Sequence, residues 1–302
     1  MKDLKEYIKE GLFDDVDKLE GKNSLESNTK QLKKEIVDWI SNNYYSSYPR
    51  RNSYKLKKRD IEVDMTTTPP TVNYNYNLYA DGDIISLNNN DVFQWGKVKG
   101  SFDCRYCFSL KSLKGSPREV GEDFKCYGCK LLESLEGAPE EVGENFDCAD
   151  CESLKTLEGA PEEVGKNFNC SNCNNLKTLE GSPKKVGGYF SCSGCISLKD
   201  LKGAPEKVGE RFSCSCCYAL ESLKGAPKEV GGEFSCSYCG LLTSLEGAPK
   251  EVGKNFNCYS CSSLTTLKGA PKKVGGNFDC SLCGLLTSID DAPKEIGGEL
   301  LK

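Results

Sequence analysis

Residues 145–166 read NFDCADCESLKTLEGAPEEVGK. The stretch holds a C-x-x-C pair, and the same pair stands 22 residues before it and 22 residues after it. It is one of nine copies that occupy residues 102–297 without an insertion. Phe recurs every 22 residues from Phe102 to Phe278, with Cys two and five residues later, from Cys104 and Cys107 to Cys280 and Cys283. Leu follows at 110 through 286, a second apolar residue at 113 through 289, Pro at 117 through 293, and Val or Ile at 120 through 296. No such pattern precedes residue 98.

A repeat this regular decides the architecture. Phe-x-Cys has period two, so both side chains leave one face of a short strand. Gly-Ala-Pro or Gly-Ser-Pro then breaks any helix and turns the chain. Phe, both Cys, both Leu and Val form the inward set, and the other positions are small or charged. One unit cannot enclose its own apolar face, whereas stacked units can, so a parallel-stranded solenoid is predicted.

The motif F-x-C-x-x-C-x-x-L-x-x-L resembles the strand segment of cysteine-containing leucine-rich repeats, and L-x-G-A-P-x-x-V resembles the convex side of 20–22-residue bacterial repeats. Two departures stand out: Cys occupies the asparagine position throughout, as at Cys151, and Val precedes the next Phe by four positions. The resemblance implies an α/β-type solenoid of nine 22-residue turns with a short extended or 3-10 convex side. Three segments are expected: residues 1–26 as leader and linker, 27–98 as a small α+β cap, and 99–302 as the solenoid.

The spacing C-x2-C-x18-C-x2-C also fits a zinc ribbon, with Cys126, Cys129, Cys148 and Cys151 as the alternative ligands. Nine pairs, however, cannot be divided into four-Cys sites without a remainder. Every one of these Cys falls where the solenoid needs a small buried residue, and free Cys behaves as a small hydrophobe. Core thiols are the favoured reading, and no cofactor is expected. Adjacent strands stand close enough for disulfides, but the charged N-terminus lacks the apolar run of an export signal, so a reducing cytoplasm is expected. Cys216, inside SCSCCY, is the odd thiol and is expected to face outward or into a turn. With no His in the chain, a Cys–His nucleophile is excluded.

Charge narrows the choice of partners. Residues 1–100 are neutral, and the rest holds 24 basic against 29 acidic residues. A net-negative repeat region argues against nucleic acid, and no apolar run is long enough for a membrane span. A protein partner is expected on the concave face, among Asp103, Arg105, Lys125, Tyr127, Asp147, Asn169, Asn257, Tyr259 and Asp279. Tyr127, Tyr259 and Arg105 are the anchor candidates, because Tyr and Arg are enriched at hot spots. A purely solvated polar sheet face is the competing reading. The convex-side charges, such as Lys114, Glu136 and Lys202, mix in sign and read as a partly self-neutralising surface.

Before the repeats, residues 29–43 place Leu32, Ile36, Trp39 and Ile40 on one helical face. Strands are expected at IEVDM (61–65), TVNYNYNLY (71–79) and DIISL (83–87), after the basic loop PRRNSYKLKKR (49–59). At the other end a tenth repeat begins at Ile296, and its strand edge is expected to support weak self-association.

MKDLKEYIKE at residues 1–10 puts Leu4 and Ile8 on a helical stripe with Leu12. It also resembles capsid-targeting leaders on internal head proteins of T-even-type phages. That resemblance implies cleavage after Ile8-Lys9-Glu10, before Gly11, and a location in the virion interior or the bacterial host cytoplasm. The repeats as a whole resemble those of gut phages and Bacteroides-like hosts. The combined expectation is a non-enzymatic, protein-binding repeat module. A zinc array and a structural virion component are the alternatives.

Overall fold

The computed structural model describes residues 22–46 and 56–302. The leader-like residues Ile8, Glu10 and Gly11 lie outside the described residues, as does most of the basic loop.

The chain winds into a parallel β-solenoid of about ten turns. Two 12-stranded sheets run along it. In the repeats, the first sheet takes Phe and the next residue from each copy, from Phe102–Asp103 through Phe278–Asp279, and continues to Leu300–Leu301. The second takes the residue before Val together with Val or Ile, from Glu119–Val120 through Glu295–Ile296. The side expected to be extended or 3-10 is therefore extended, and its strands pair into a sheet of their own.

Register is set by composition. Phe102 pairs with Phe124, Phe146 with Phe168 and Val142 with Val164, each step spanning one repeat. Like residues thus stack on like. The Phe rings form a column with centroids 5.1–5.7 Å apart, and most are within 15° of parallel. All nine Phe are fully buried, with the Cys, Leu and Val columns packed around them. Aromatic pairs in such contact add about 0.5–1.5 kcal/mol beyond the burial of their area.

Two turns shape each copy. At Leu135-Glu136-Gly137-Ala138, the Ala138 N–H donates to Leu135 O at 2.9 Å while Gly137 takes φ +88°. This is the pattern of a type II turn, whose third position needs a residue tolerant of positive φ. The second turn is the C-x-x-C itself. Cys129 N–H donates to Cys126 O at 3.3 Å, and the residue between them and next to Cys129, Gly128, has φ +73°. The corresponding residue is left-handed in every copy, including Tyr106, Asp150 and Cys216.

A different glycine column closes the corner after Val. A Cβ on Gly209 would stand 2.0 Å from Gly187 O, and one on Gly143 would stand 2.1 Å from Gly121 O. Neighbouring turns meet there backbone to backbone, leaving no room for a side chain.

The N-terminal cap joins both sheets. Helix α1 (Lys22–Asn43) buries Leu32, Ile36 and Ile40 and half-buries Trp39. The expected strand at 71–79 is two strands in different sheets. Thr71–Tyr74 belongs to the second and Leu78–Ala80 to the first, with the chain turning a corner between them. There Asn77 Oδ1 accepts Ser101 N–H at 2.8 Å, as polar residues do at the same corner of later turns. Residues 83–87 lie in turns instead of the expected strand, because Ile84 and Leu87 point inward while Ile85 is exposed, so the alternation a strand needs is absent. Gln94–Val98 is a strand that the hydrophobic pattern did not show, and it pairs with Glu119–Val120. Antiparallel pairs, Tyr44 with Ala80 and Ile61 with Tyr74, end both sheets. The Phe column meets Tyr44 and Trp95, whose hydroxyl and indole N–H both donate to Leu87 O, at 2.7 and 2.8 Å.

Candidate functional site

The cysteine columns carry the most specific signal in the sequence. All cysteines are free thiols, and every one except Cys216 is buried. The second Cys of each pair from Cys129 onward donates its thiol proton to the carbonyl of the first Cys one turn earlier, Cys129 to Cys104 at 3.1 Å and Cys151 to Cys126 at 3.3 Å. Burial pushes the Cys126 and Cys148 thiols well above their ordinary range, which disfavours the thiolate a metal would need. Among the described residues no group of three or more His, Cys, Asp or Glu is placed to hold a metal ion.

On the first sheet, the expected binding residues are brought into one continuous line, but most are engaged with their neighbours. Asp103 is buried and held by Arg105, whose Nε lies 3.0 and 2.9 Å from its two carboxylate oxygens. Lys125 Nζ sits 2.7 Å from Asp123. Asp147 Oδ1 accepts the Ala149 N–H at 3.1 Å and the Asn169 amide at 3.2 Å. Burial raises the Asp147 carboxyl above its ordinary pKa. Asn169, Asn257 and Asp279 likewise accept the N–H two residues on, from Ser171, Tyr259 and Ser281 at 2.9–3.1 Å. This is the Asx-turn hydrogen bond, and it opens the C-x-x-C turn. In the middle of the line, Ser193–Ser213 and Ser215–Ser235 hydroxyl pairs at 2.7 and 2.8 Å link successive turns.

The tyrosines are placed differently. Tyr127 OH lies 2.6 Å from Tyr106 OH, and this hydrogen bond pushes the Tyr127 phenol up to about 12. Their rings meet at 4.8 Å, and Phe108 lies beyond Tyr106 at 6.0 Å. Tyr259 packs on Tyr238 at 5.4 Å. Phe108, Tyr218, Tyr238 and Leu241 are about half exposed, as are Leu131 and Ile196 to a slightly lesser degree. All of them flank the C-x-x-C turns, which together make one edge of the coil. The aromatic members Tyr106, Phe108, Tyr218 and Tyr238 were missed in the sequence, although each sits inside or directly after a C-x-x-C pair.

The mixed-sign charges just before the glycine of each type II turn pair across turns. Lys114 contacts Glu136 at 3.2 Å, Lys202 contacts Glu180 at 2.8 Å and Lys268 contacts Glu246 at 2.8 Å. Such exposed pairs contribute about 0–1 kcal/mol each. Among the described residues no helix is long and apolar enough to cross a membrane. No protein-family model, curated protein or solved structure matches the chain.

Proposed function

We propose that the chain is a non-enzymatic protein-binding module whose contact surface is the edge formed by the C-x-x-C turns. The observation that carries this reading is the half-exposure of Tyr218, Tyr238 and Leu241 on two successive turns, with Tyr238 packed against Tyr259. Large apolar side chains held in the open on fixed turns are what hot spots are made of, and Tyr is enriched there. Preorganisation adds to this, because the left-handed turns fix the backbone at Tyr238 and Cys216 before any partner arrives. Ser215 and Tyr259, half-buried on the same and the adjacent turns, supply hydrogen-bonding groups beside Tyr218 and Tyr238.

The test compares proteins retained from bacterial lysate by the immobilised chain and by a Tyr218→Ala/Tyr238→Ala variant. The expected result is a stoichiometric partner whose retention falls roughly tenfold or more on the variant, the loss typical of two hot-spot truncations. A lysate that yields no partner, or one retained equally by both proteins, overturns the reading. Both side chains are surface residues, so circular dichroism of the variant should match that of the parent.

A further inference from the structure

A groove of about 1360 Å³ runs along the second sheet, from Lys97 and Glu119 at the cap end to Lys273 and Gly275. Its floor is the bare backbone of the glycine column, with Val tucked beneath, and charged side chains wall it. From Lys97 to Lys273 the groove covers eight strand spacings of about 4.8 Å, or roughly 38 Å. An extended chain of about twelve residues fills that length at ~3.3 Å per residue.

Charge in this groove is sorted by position. At the cap end five glutamates, from Glu119 to Glu163, stand against one lysine. At the far end five lysines, from Lys185 to Lys273, stand against two glutamates. Existing ion pairs do not cancel this order. They join neighbouring turns, as Arg118 with Glu140 and Lys184 with Glu162 at 2.9 Å, Lys185 with Glu163 at 2.6 Å and Lys207 with Glu229 at 2.9 Å, all more than half exposed. Glu119, paired with Lys97 at 2.8 Å, is about a third exposed. Pairs of that kind are weak and exchangeable. Glu141 near the cap end and Lys250 and Glu251 near the far end have no ion pair among the described residues.

We infer that the groove is a second binding site, which takes an extended polypeptide segment carrying a basic run and an acidic run. The basic run lies against residues 119–163 and the acidic run against residues 185–273. The two ends of the groove are centred near Glu141 and Glu229, four turns or about 19 Å apart, so the two runs are centred about six residues apart. Nucleic acid does not satisfy this pattern, because the glutamate end repels phosphate. The site lies on the second sheet and does not depend on the aromatic edge.

The experiment uses fluorescence anisotropy with the full chain and three labelled peptides. One has a lysine run and a glutamate run spaced as above, one has the same residues alternating, and one replaces the glutamate run with serine. The segregated peptide is expected to bind roughly tenfold tighter than the alternating one at low salt, with the difference fading as salt shortens the screening length. A Glu140→Lys/Glu162→Lys variant, altered only at exposed side chains, is expected to lose that advantage. A photo-crosslinker on the lysine run should label residues 119–163. Equal binding of the segregated and alternating peptides overturns the inference, as does labelling at residues 185–273 or tightest binding by the serine peptide.

Discussion

The thiol of Cys129 donates a hydrogen bond to the main-chain oxygen of Cys104, 3.1 Å away and one turn earlier. The same link recurs up the coil, as from Cys173 to Cys148 at 3.3 Å. The second Cys is thus a donor as well as a filler. If apolar filling alone mattered, Cys173→Ala would be tolerated better than Cys173→Ser, whose hydroxyl would be buried without use. Because a donor is used, Cys173→Ser is expected to be the milder change. Cys173→Ala should lower unfolding stability by about 1–2 kcal/mol, measured as a shift in urea midpoint.

Gly209 faces Gly187 O so closely that a Cβ would stand 2.0 Å away, with backbone on both sides. Gly209→Ala is expected to destabilise by about 2–4 kcal/mol. Gly240→Ala is the control, since its Cβ would meet nothing nearer than Ser262 Oγ at 3.6 Å. That change should stay within about 0.5 kcal/mol. Equal midpoints in thermal melts would remove the case for the glycine column.

Cys216 is the one thiol that is not buried. Native-state alkylation is expected to add one label rapidly, mapped to Cys216 by mass spectrometry, with the others reacting on unfolding. Burial raises its pKa above the ordinary thiol value, so at pH 7 it holds less thiolate than a free cysteine. The labelling rate should therefore climb by about tenfold per pH unit through neutral pH, and should still be rising at pH 9.

Asp147 has its folded-state pKa raised by burial, so the folded state holds the proton more tightly than the unfolded chain. Its ionisation therefore opposes folding. The penalty is absent below about pH 4 and grows as pH rises through the raised value. Asp147→Asn, with Asn already present at the equivalent Asn169 and Asn257, is expected to be more stable than the parent at pH 7. That advantage should vanish in urea titrations below pH 4.

Much of this was written in the repeat. Phe146, Cys148, Cys151, Leu154, Leu157 and Val164 were assigned inward, and all six are buried. The strand at Phe and the cap helix were visible because spacing alone sets which side chains share a face. Less visible were features that depend on the neighbouring turn. The glycine after Val looks like an ordinary turn residue until the carbonyl it abuts is in place. Asp147 and Asn169 read as an open polar face because their hydrogen bonds go to the main chain two residues on and to each other across turns, partners that spacing alone does not reveal. The left-handed position in C-x-x-C was masked by its variety, which includes Tyr106, Asp150 and Leu282. Strand Gln94–Val98 was obscured by Gly96, which keeps its place because a Cβ there would stand 2.4 Å from Asn73 Oδ1.

The in-register stacking of Phe on Phe, glycine on glycine and thiol on carbonyl makes every interface between copies chemically the same. Recombination that drops or duplicates one whole copy, such as residues 168–189, would rejoin two compatible surfaces and change only the length of the coil, by about 4.8 Å. An insertion that shifted the register of a strand would break the Phe stacking and bring a side chain toward the glycine corner. Such a chain can grow or shorten in whole copies with little penalty, so the number of turns is free to evolve separately from the residues on their outer edges.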